Sequence, residues 1–194
     1  MQQIYHWEIT PSSWPAVIRN CPKCGTASDY VCTGNFRVNA NQSYIDIWLI
    51  YQCHKCKSTW NMEIISRTRV NAIDKELYHK FIANDPELAR QYAFDTTIQG
   101  YHKLSVHYDD VSYDIRGDIP DTASGNKECR IDITSPCPIN LRLDALLSRQ
   151  LGLSRERIKA FWKTGRISRC DGKDATKIRL NGTLSLFLHP WNEI

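Results

Sequence analysis

The chain has 194 residues, of which 42% are hydrophobic and 24% are charged, and its formal net charge is +4. This length accommodates one large domain or two small ones, and the composition is typical of a globular protein. The sequence has no apolar run of about 18 residues and no basic-then-apolar N-terminal segment, so we expect neither a membrane span nor a secretory signal and favour the cytoplasm.

Two pairs of cysteines share the same spacing, Cys21 with Cys24 and Cys53 with Cys56. Two thiolates three positions apart can turn onto one cation, and a second pair completes a tetrahedral site. The residues between the pairs predict a β-hairpin, which favours Zn²⁺ over an iron–sulfur cluster; four buried or reactive thiols are the alternative. Because four thiolates leave no open position for water, we expect a structural ion.

Strand patterns surround the two cysteine pairs. Residues 30–38 and 59–65 are rich in β-forming side chains, and residues 44–51 alternate so that Ile45, Ile47, Leu49 and Tyr51 share one face. These strands predict a zinc ribbon over residues 1–72, larger than a minimal ribbon and with an aromatic core.

The middle of the chain predicts two short helices. One begins after Asp74 and the other after Asp85, because each aspartate can cap the helix that follows it. An acidic, turn-rich passage and a loop over residues 122–127 come next. We therefore assign residues 73–128 to a helical and acidic connecting region packed on the ribbon.

The last third, residues 129–194, predicts two helices followed by small strands. Leucines recur at helical spacing from Leu143 to Leu151, Gly152 ends that helix, and Ser154 can cap the next one. This segment carries 12 Lys and Arg against 6 Asp and Glu. We expect a basic unit of two helices and strands.

A positive stripe is predicted on the second of these helices. Arg155, Lys159 and Lys163 stand at i, i+4 and i+8, and Arg142 and Arg166 extend the positive surface. Such a stripe contacts phosphates well, since guanidinium groups bind them bidentately and binding releases counterions. The alternative is a solvated helix face that contributes only to solubility.

The same region resembles the RNA-binding domain of the ribosomal protein S-four type. The resemblance rests on Leu-Arg-Leu-Asp-Ala-Leu-Leu at 141–147, Gly-Leu-Ser-Arg at 152–155, Ile-Lys at 158–159 and Gly-Arg-Ile at 165–167. It implies that basic residues of the helix pair contact RNA, here Arg142, Arg155, Lys159 and Lys163.

Nearly the whole chain also resembles an uncharacterised bacterial family, the domain of unknown function ten-sixty-two. The matching residues include Arg-Asn-Cys-Pro-Lys-Cys at 19–24, Cys-Thr-Gly-Asn-Phe-Arg-Val-Asn-Ala-Asn at 32–41 and Asp-Ile-Trp-Leu-Ile-Tyr at 46–51. The resemblance implies a common architecture and no assigned reaction.

Together these patterns predict an α+β protein, in which an N-terminal zinc ribbon of antiparallel strands and small helices precedes a two-helix-plus-strands unit. We predict that the protein is non-catalytic, binds zinc and binds structured RNA, either ribosomal or transfer RNA. A protein-interaction adaptor without a nucleic-acid role is the alternative. An enzyme ranks last, because no nucleophile–base pair, phosphate loop or open metal site is legible.

Overall fold

The computed structural model describes residues 3–120, 128–171 and 178–190, so the predicted loop at 122–127 lies outside the described residues. The chain divides into two compact units, one formed by Met1–Ser12 with Val111–Ile194 and the other by Ser13–Asp110. Within the described ranges, no helix is long and apolar enough to cross a membrane.

The described residues form ten strands and five α-helices. The strands are β1 (Gln3–Pro11), β2 (Ala16–Cys21), β3 (Thr26–Asn41), β4 (Tyr44–Cys53), β5 (Thr59–Arg69), β6 (Ser105–His107), β7 (Tyr113–Arg116), β8 (Cys129–Ser135), β9 (Ile167–Arg169) and β10 (Gly182–Leu188). The helices are α1 (Lys75–Ile82), α2 (Pro86–Phe94), α3 (Thr96–Tyr101), α4 (Leu143–Leu151) and α5 (Arg155–Lys163), and a short 3₁₀ helix (Val70–Ala72) precedes α1.

The unit Ser13–Asp110 is built on an antiparallel sheet with strand order β5-β4-β3-β2-β6, which we call the cysteine sheet. Along β4, Ile45, Ile47 and Leu49 are completely buried, which confirms the predicted alternation. Asp74 and Asp85 cap α1 and α2 through their side chains, as predicted.

Helices α1 and α2 cover β3 through aromatic rings. Phe81 of α1 lies edge-on to Phe36 of β3, with ring centroids 4.9 Å apart, and it stacks on Tyr92 of α2. Between the two helices, the Asn84 side chain accepts a 2.6 Å hydrogen bond from the Phe36 backbone N–H. These contacts fix the helices to one side of the cysteine sheet.

The other unit is built on a mixed sheet with strand order β7-β1-β8-β10-β9. β1 runs parallel to β8 and antiparallel to β7, and buried Trp7, Ile9, Ile131 and Ile133 contribute to its core. Helices α4 and α5 pack on each other, and α5 contacts β9.

The predicted fold class is wrong, because the molecule is mostly β and consists of two five-stranded sheets rather than a zinc ribbon followed by a two-helix unit. The first reason is that β1 pairs with β7 and β8, more than 100 residues away in the chain, instead of with the cysteine strands. The second is that β2 and β6 add to the hairpin strands, so the cysteines lie at one end of a full sheet.

The units also divide the chain differently from the predicted segments 1–72, 73–128 and 129–194. The N-terminal strand joins the C-terminal residues, and α1 and α2 belong with the cysteine strands up to Asp110. The difference follows from the pairing of β1 with β8, a long-range contact that local sequence patterns do not reveal.

We expect Gly117→Ala to destabilise the mixed sheet by about 3 kcal/mol or more. Gly117 has φ +128°, and a Cβ atom there would lie 1.9 Å from the backbone oxygen of His6 in β1. Gly100→Ala is the control, because this helical glycine has open space around it and alanine there favours folding by about 0.5–1 kcal/mol. Urea denaturation measures both changes, and equal stability of the Gly117 variant and the wild type would contradict the packing described for β1.

Candidate metal centre

The two cysteine pairs form turns of the same shape, which we call the first and second knuckles (residues 21–25 and 53–57). Cys21 ends β2 and Cys53 ends β4, and the backbone oxygen of each accepts an N–H bond from the residue four positions later, at 2.8 Å and 3.0 Å. Those residues, Gly25 and Lys57, both have positive φ, +71° and +61°. Each knuckle therefore turns its two sulfurs to the same side.

The antiparallel ladder of the cysteine sheet brings the knuckles together. Tyr30 of β3 lies opposite Cys53 of β4, and the His54 N–H donates a 2.8 Å hydrogen bond to the Asp29 oxygen. Both knuckles therefore lie at the same end of the sheet.

The four predicted ligands Cys21, Cys24, Cys53 and Cys56 converge, with all their Sγ atoms within 4.8 Å of one another. The Cys21–Cys56 and Cys24–Cys53 sulfurs are 3.5 Å and 3.9 Å apart. Tetrahedral ligands with Zn–S bonds of about 2.3 Å would be separated by about 3.8 Å. All four thiols are free rather than joined in disulfides, and the cluster has the size needed for one metal ion.

Hydroxyl groups form hydrogen bonds with two of these sulfurs, those of Cys21 and Cys56. The Ser58 Oγ lies 3.3 Å from the Cys21 Sγ and 3.1 Å from the Cys56 Sγ. Hydrogen bonds from Ser58 and then Tyr30 lower the pKa of Cys21 to about 5, although burial opposes the shift, and Ser58 also lowers the pKa of Cys56. Both hydroxyls therefore favour the thiolate form, which is the form that binds metals.

The pKa of Cys24 is shifted in the opposite direction. Its hydrogen bond to Cys56 and its burial raise the pKa of Cys24 to about 12. The neighbouring sulfurs therefore favour the neutral thiol at Cys24, in contrast to Cys21. A bound divalent cation would add positive charge at this point and favour deprotonation of all four cysteines.

The remaining cysteines and His54 lie outside this group. Cys32, Cys129 and Cys137 are buried and Cys170 is exposed, while His54 points from the second knuckle into solvent. The CxxC spacing predicted the four clustered cysteines but not Ser58 and Tyr30. Their only signal is position: Ser58 comes two residues after Cys56, and Tyr30 lies on a strand next to the knuckle.

The predicted RNA-binding residues do not form one set. Arg142 and Arg155 both contact the carboxylate of Asp144, with N–O distances of 3.0 Å and 2.9 Å, and the Asp144 side chain is fully buried. Burial by itself raises the pKa of Asp144, but hydrogen bonds and charge attraction from Arg155 and Arg142 outweigh it and lower that pKa overall. Both arginines therefore have a structural role. The only sequence signal for it is that Asp144 is an acidic residue among the leucines of α4.

The other three residues are arranged differently. Lys159 and Lys163 lie exposed on α5, and in the part of the chain that is described neither makes an ion pair. The Arg166 guanidinium lies 5.4 Å from the centre of the Phe161 ring, which anchors it beside α5. Among the described residues none of these three cations is paired with a carboxylate, but only the two lysines are exposed.

Asp144→Asn should weaken the acid sensitivity of the protein. Because the folded pKa of Asp144 is lowered, the ion pairs stabilise the fold above the unfolded pKa of about 3.9, and this stabilisation is lost as pH falls through the folded value. The variant, which cannot titrate there, should be less stable by about 1–3 kcal/mol at pH 7 and should lose less stability below about pH 4.

Urea denaturation across that pH range tests this expectation. Glu76→Gln removes an exposed ion pair on α1 instead, and it should leave the pH dependence close to that of the wild type. Parallel pH profiles for the wild type and the Asp144 variant would contradict the role given to this carboxylate.

Comparison with known proteins gives a family and no function. No curated protein and no solved structure matches the chain. The model of the family DUF1062, described as a protein of unknown function, matches residues 38–173, which include the second knuckle, α4 and α5. The match covers more than half of the chain, and the protein therefore belongs to the DUF1062 family.

Proposed function

We propose that the four cysteines hold one Zn²⁺ ion and that this ion is structural. The observation that carries the proposal is the convergence of four Sγ atoms within 4.8 Å at the end of the cysteine sheet. Four sulfur ligands in a tetrahedron are typical of structural zinc sites and leave no position for a reacting water.

Zinc is favoured by the size and chemistry of the cluster. Sulfur separations of 3.5 Å and 3.9 Å match one ion bound by four thiolates, whereas a cluster of several irons requires its thiolates to stand further apart. A single iron ion would have similar geometry, and metal analysis distinguishes it from zinc. Reduced thiolates also favour a reducing compartment, and we propose the cytoplasm.

The ion would connect strands that are otherwise joined only through the ladder. Cys21 ends β2 and Cys53 ends β4, Cys24 and Cys56 lie in the turns that follow, and a shared ion would fasten the two turns to each other. Zn²⁺ binding at such sites contributes about 10–16 kcal/mol in zinc-finger peptides, which exceeds the stability of many whole domains.

We expect the purified protein to contain one Zn²⁺ per chain and to lose thermal stability when a strong chelator removes the metal. Cys53→Ser should abolish stoichiometric binding, because it removes a fully buried ligand. Cys170→Ser is the matched control, since this cysteine is exposed and outside the cluster, and it should keep both the metal and the stability. Plasma mass spectrometry and thermal denaturation measure the two properties.

Retention of zinc by the Cys53 variant would contradict the proposed ligand set. Iron in place of zinc, recognised by elemental analysis and by colour, would contradict the proposed ion. An unchanged melting temperature after complete metal removal would contradict its structural role.

As a second function we propose RNA binding through α5, supported by the exposed Lys159 and Lys163, which make no ion pair with any residue that the structure describes. They stand one turn apart on the same helix, and Arg166 lies just beyond its end. Arg142 and Arg155 have a smaller part in this proposal, because Asp144 neutralises much of their charge. The expected partner is a structured RNA bound mainly through phosphates.

The double variant Lys159→Glu/Lys163→Glu should weaken binding of labelled bulk transfer RNA and flatten its salt dependence. Two lost phosphate contacts lower the slope of log K against log salt by about 1.4–1.8. Lys75→Glu/Lys80→Glu, with the same change in net charge on α1, is the control and should retain most of the affinity. Filter binding over a salt series provides the measurement.

Two outcomes would overturn the RNA proposal. One is unchanged affinity and salt slope in the α5 variant, which would show that RNA binds elsewhere. The other is no binding by the wild type together with partner proteins that remain bound after nuclease treatment, which would favour the adaptor function.

A further inference from the structure

A groove of about 820 Å³ lies next to α1 at the end of the β4–β5 ladder, within the unit Ser13–Asp110. Its size is in the range of small-molecule sites, about 300–1,000 Å³. It is lined by residues of β4, β5, the 3₁₀ helix and α1, and by none of the metal ligands or basic residues of α5.

One wall of the groove is a single face of α1. Lys75, Tyr78 and His79 stand at i, i+3 and i+4, so their side chains project from the same side of the helix. Phe81 instead lies in the core, where it is 1% exposed and stacks on Tyr92. The helix therefore presents one face to the core and another to the groove.

The other wall comes from the strands. Tyr44 and Arg69 lie opposite each other in the β4–β5 ladder, and the Val70 N–H donates a 3.0 Å hydrogen bond to the Ser43 oxygen, which holds the 3₁₀ helix against the strand end. Tyr44 and Val70 are 47% and 40% exposed, so both side chains are accessible from the groove. The strand wall thus offers an aromatic ring and an aliphatic surface to a ligand.

The charge of the lining is one-sided. Arg69, Lys75 and His79 line the groove, and among the described residues no carboxylate lines it and none pairs with these three. The nearest acidic residues in sequence are used elsewhere, since the Asp74 carboxylate accepts the N–H groups of Glu76 and Leu77 and Glu76 pairs with Lys80 at 3.0 Å. Two cationic side chains, Arg69 and Lys75, therefore line the groove, and no carboxylate among the described residues lines it.

We infer that this groove binds a small organic anion, with a carboxylate or phosphate monoester held by Arg69 and Lys75 and a flat apolar ring held by Tyr44, Tyr78 and Val70. Basic side chains recognise both acidic groups by charge-assisted hydrogen bonds, and tyrosine rings pack on flat apolar groups. The inference does not depend on the metal centre or on RNA binding.

Titration of the metal-loaded full chain with 2-naphthoate and with 1-naphthyl phosphate, followed by amide NMR spectra, tests the inference. We expect saturable shifts confined to residues 43–44 and 69–79 for at least one of the two acids, and the tighter one identifies the acidic group. The neutral probe 2-naphthamide, which has the same ring, should bind about tenfold or more weakly, because about 1.4 kcal/mol of charge interaction is lost.

Variants separate the charged contacts from the apolar ones. Arg69→Gln/Lys75→Gln should weaken binding of the acid about tenfold and leave 2-naphthamide unchanged, while Tyr44→Ala should weaken both probes. Lys80→Gln, a cation of α1 that does not line the groove, is the control and should change neither affinity by as much as about twofold.

Three results would overturn the inference. They are the absence of saturable shifts with both acids, equal affinity for 2-naphthamide and the better acid, and unchanged affinity for that acid in the Arg69/Lys75 variant. Because both residues are exposed, these variants should fold, and unchanged amide spectra away from the groove verify this.

Discussion

The pairing of β3 with β4 determines where the four sulfurs lie, and the rest of the candidate centre depends on it. Each knuckle is a local structure, formed by a positive-φ residue and one backbone hydrogen bond, and each could form without the other. Only the ladder, with Tyr30 opposite Cys53 and the second knuckle bonded to Asp29, places them at one end of the same sheet. A shift of the register by one residue would move the side chains of a strand to its other face and separate the sulfurs.

Charge compensation divides the basic residues of the chain into two kinds. Where a carboxylate is buried beside arginines, as at Asp144, the positive charge is used within the fold and holds α4 and α5 together. Where cations have no such partner among the described residues, as at Lys159 and Lys163 on α5 or at Arg69 and Lys75 around the groove, they can contact a ligand. On this distinction we base two separate proposals, RNA binding through two lysines of α5 and binding of a small anion beside α1.

Sequence patterns were most informative where the structure is local. The CxxC spacing predicted the cluster of four cysteines, the alternation in 44–51 predicted the buried face of β4, and Asp74 and Asp85 predicted the starts of α1 and α2. The patterns predicted the wrong fold class because the sequence of β1 does not show that β1 pairs with β8. The alternation of side chains in a strand is the same whichever strand it pairs with. They also missed Ser58, Tyr30 and the pairing of Asp144, because a hydrogen bond between distant side chains has no spacing rule.

The groove had no sequence signal for a related reason. Its basic and aromatic residues come from two strands, a 3₁₀ helix and α1, and each is ordinary in its own segment. Tyr44 and Arg69 come together only through the β4–β5 register, and Lys75 joins them only because α1 begins directly after the 3₁₀ helix. A site assembled in this way becomes visible only in three dimensions.

X-ray absorption at the zinc edge of the purified protein is the sharpest test of the proposed four-cysteine site, because it reports the atoms bound to the metal. We expect four sulfur neighbours at about 2.3 Å, from one Zn²⁺ ion bound by Cys21, Cys24, Cys53 and Cys56. Nitrogen or oxygen neighbours in the first shell, or a second metal nearby, would contradict a closed four-cysteine site.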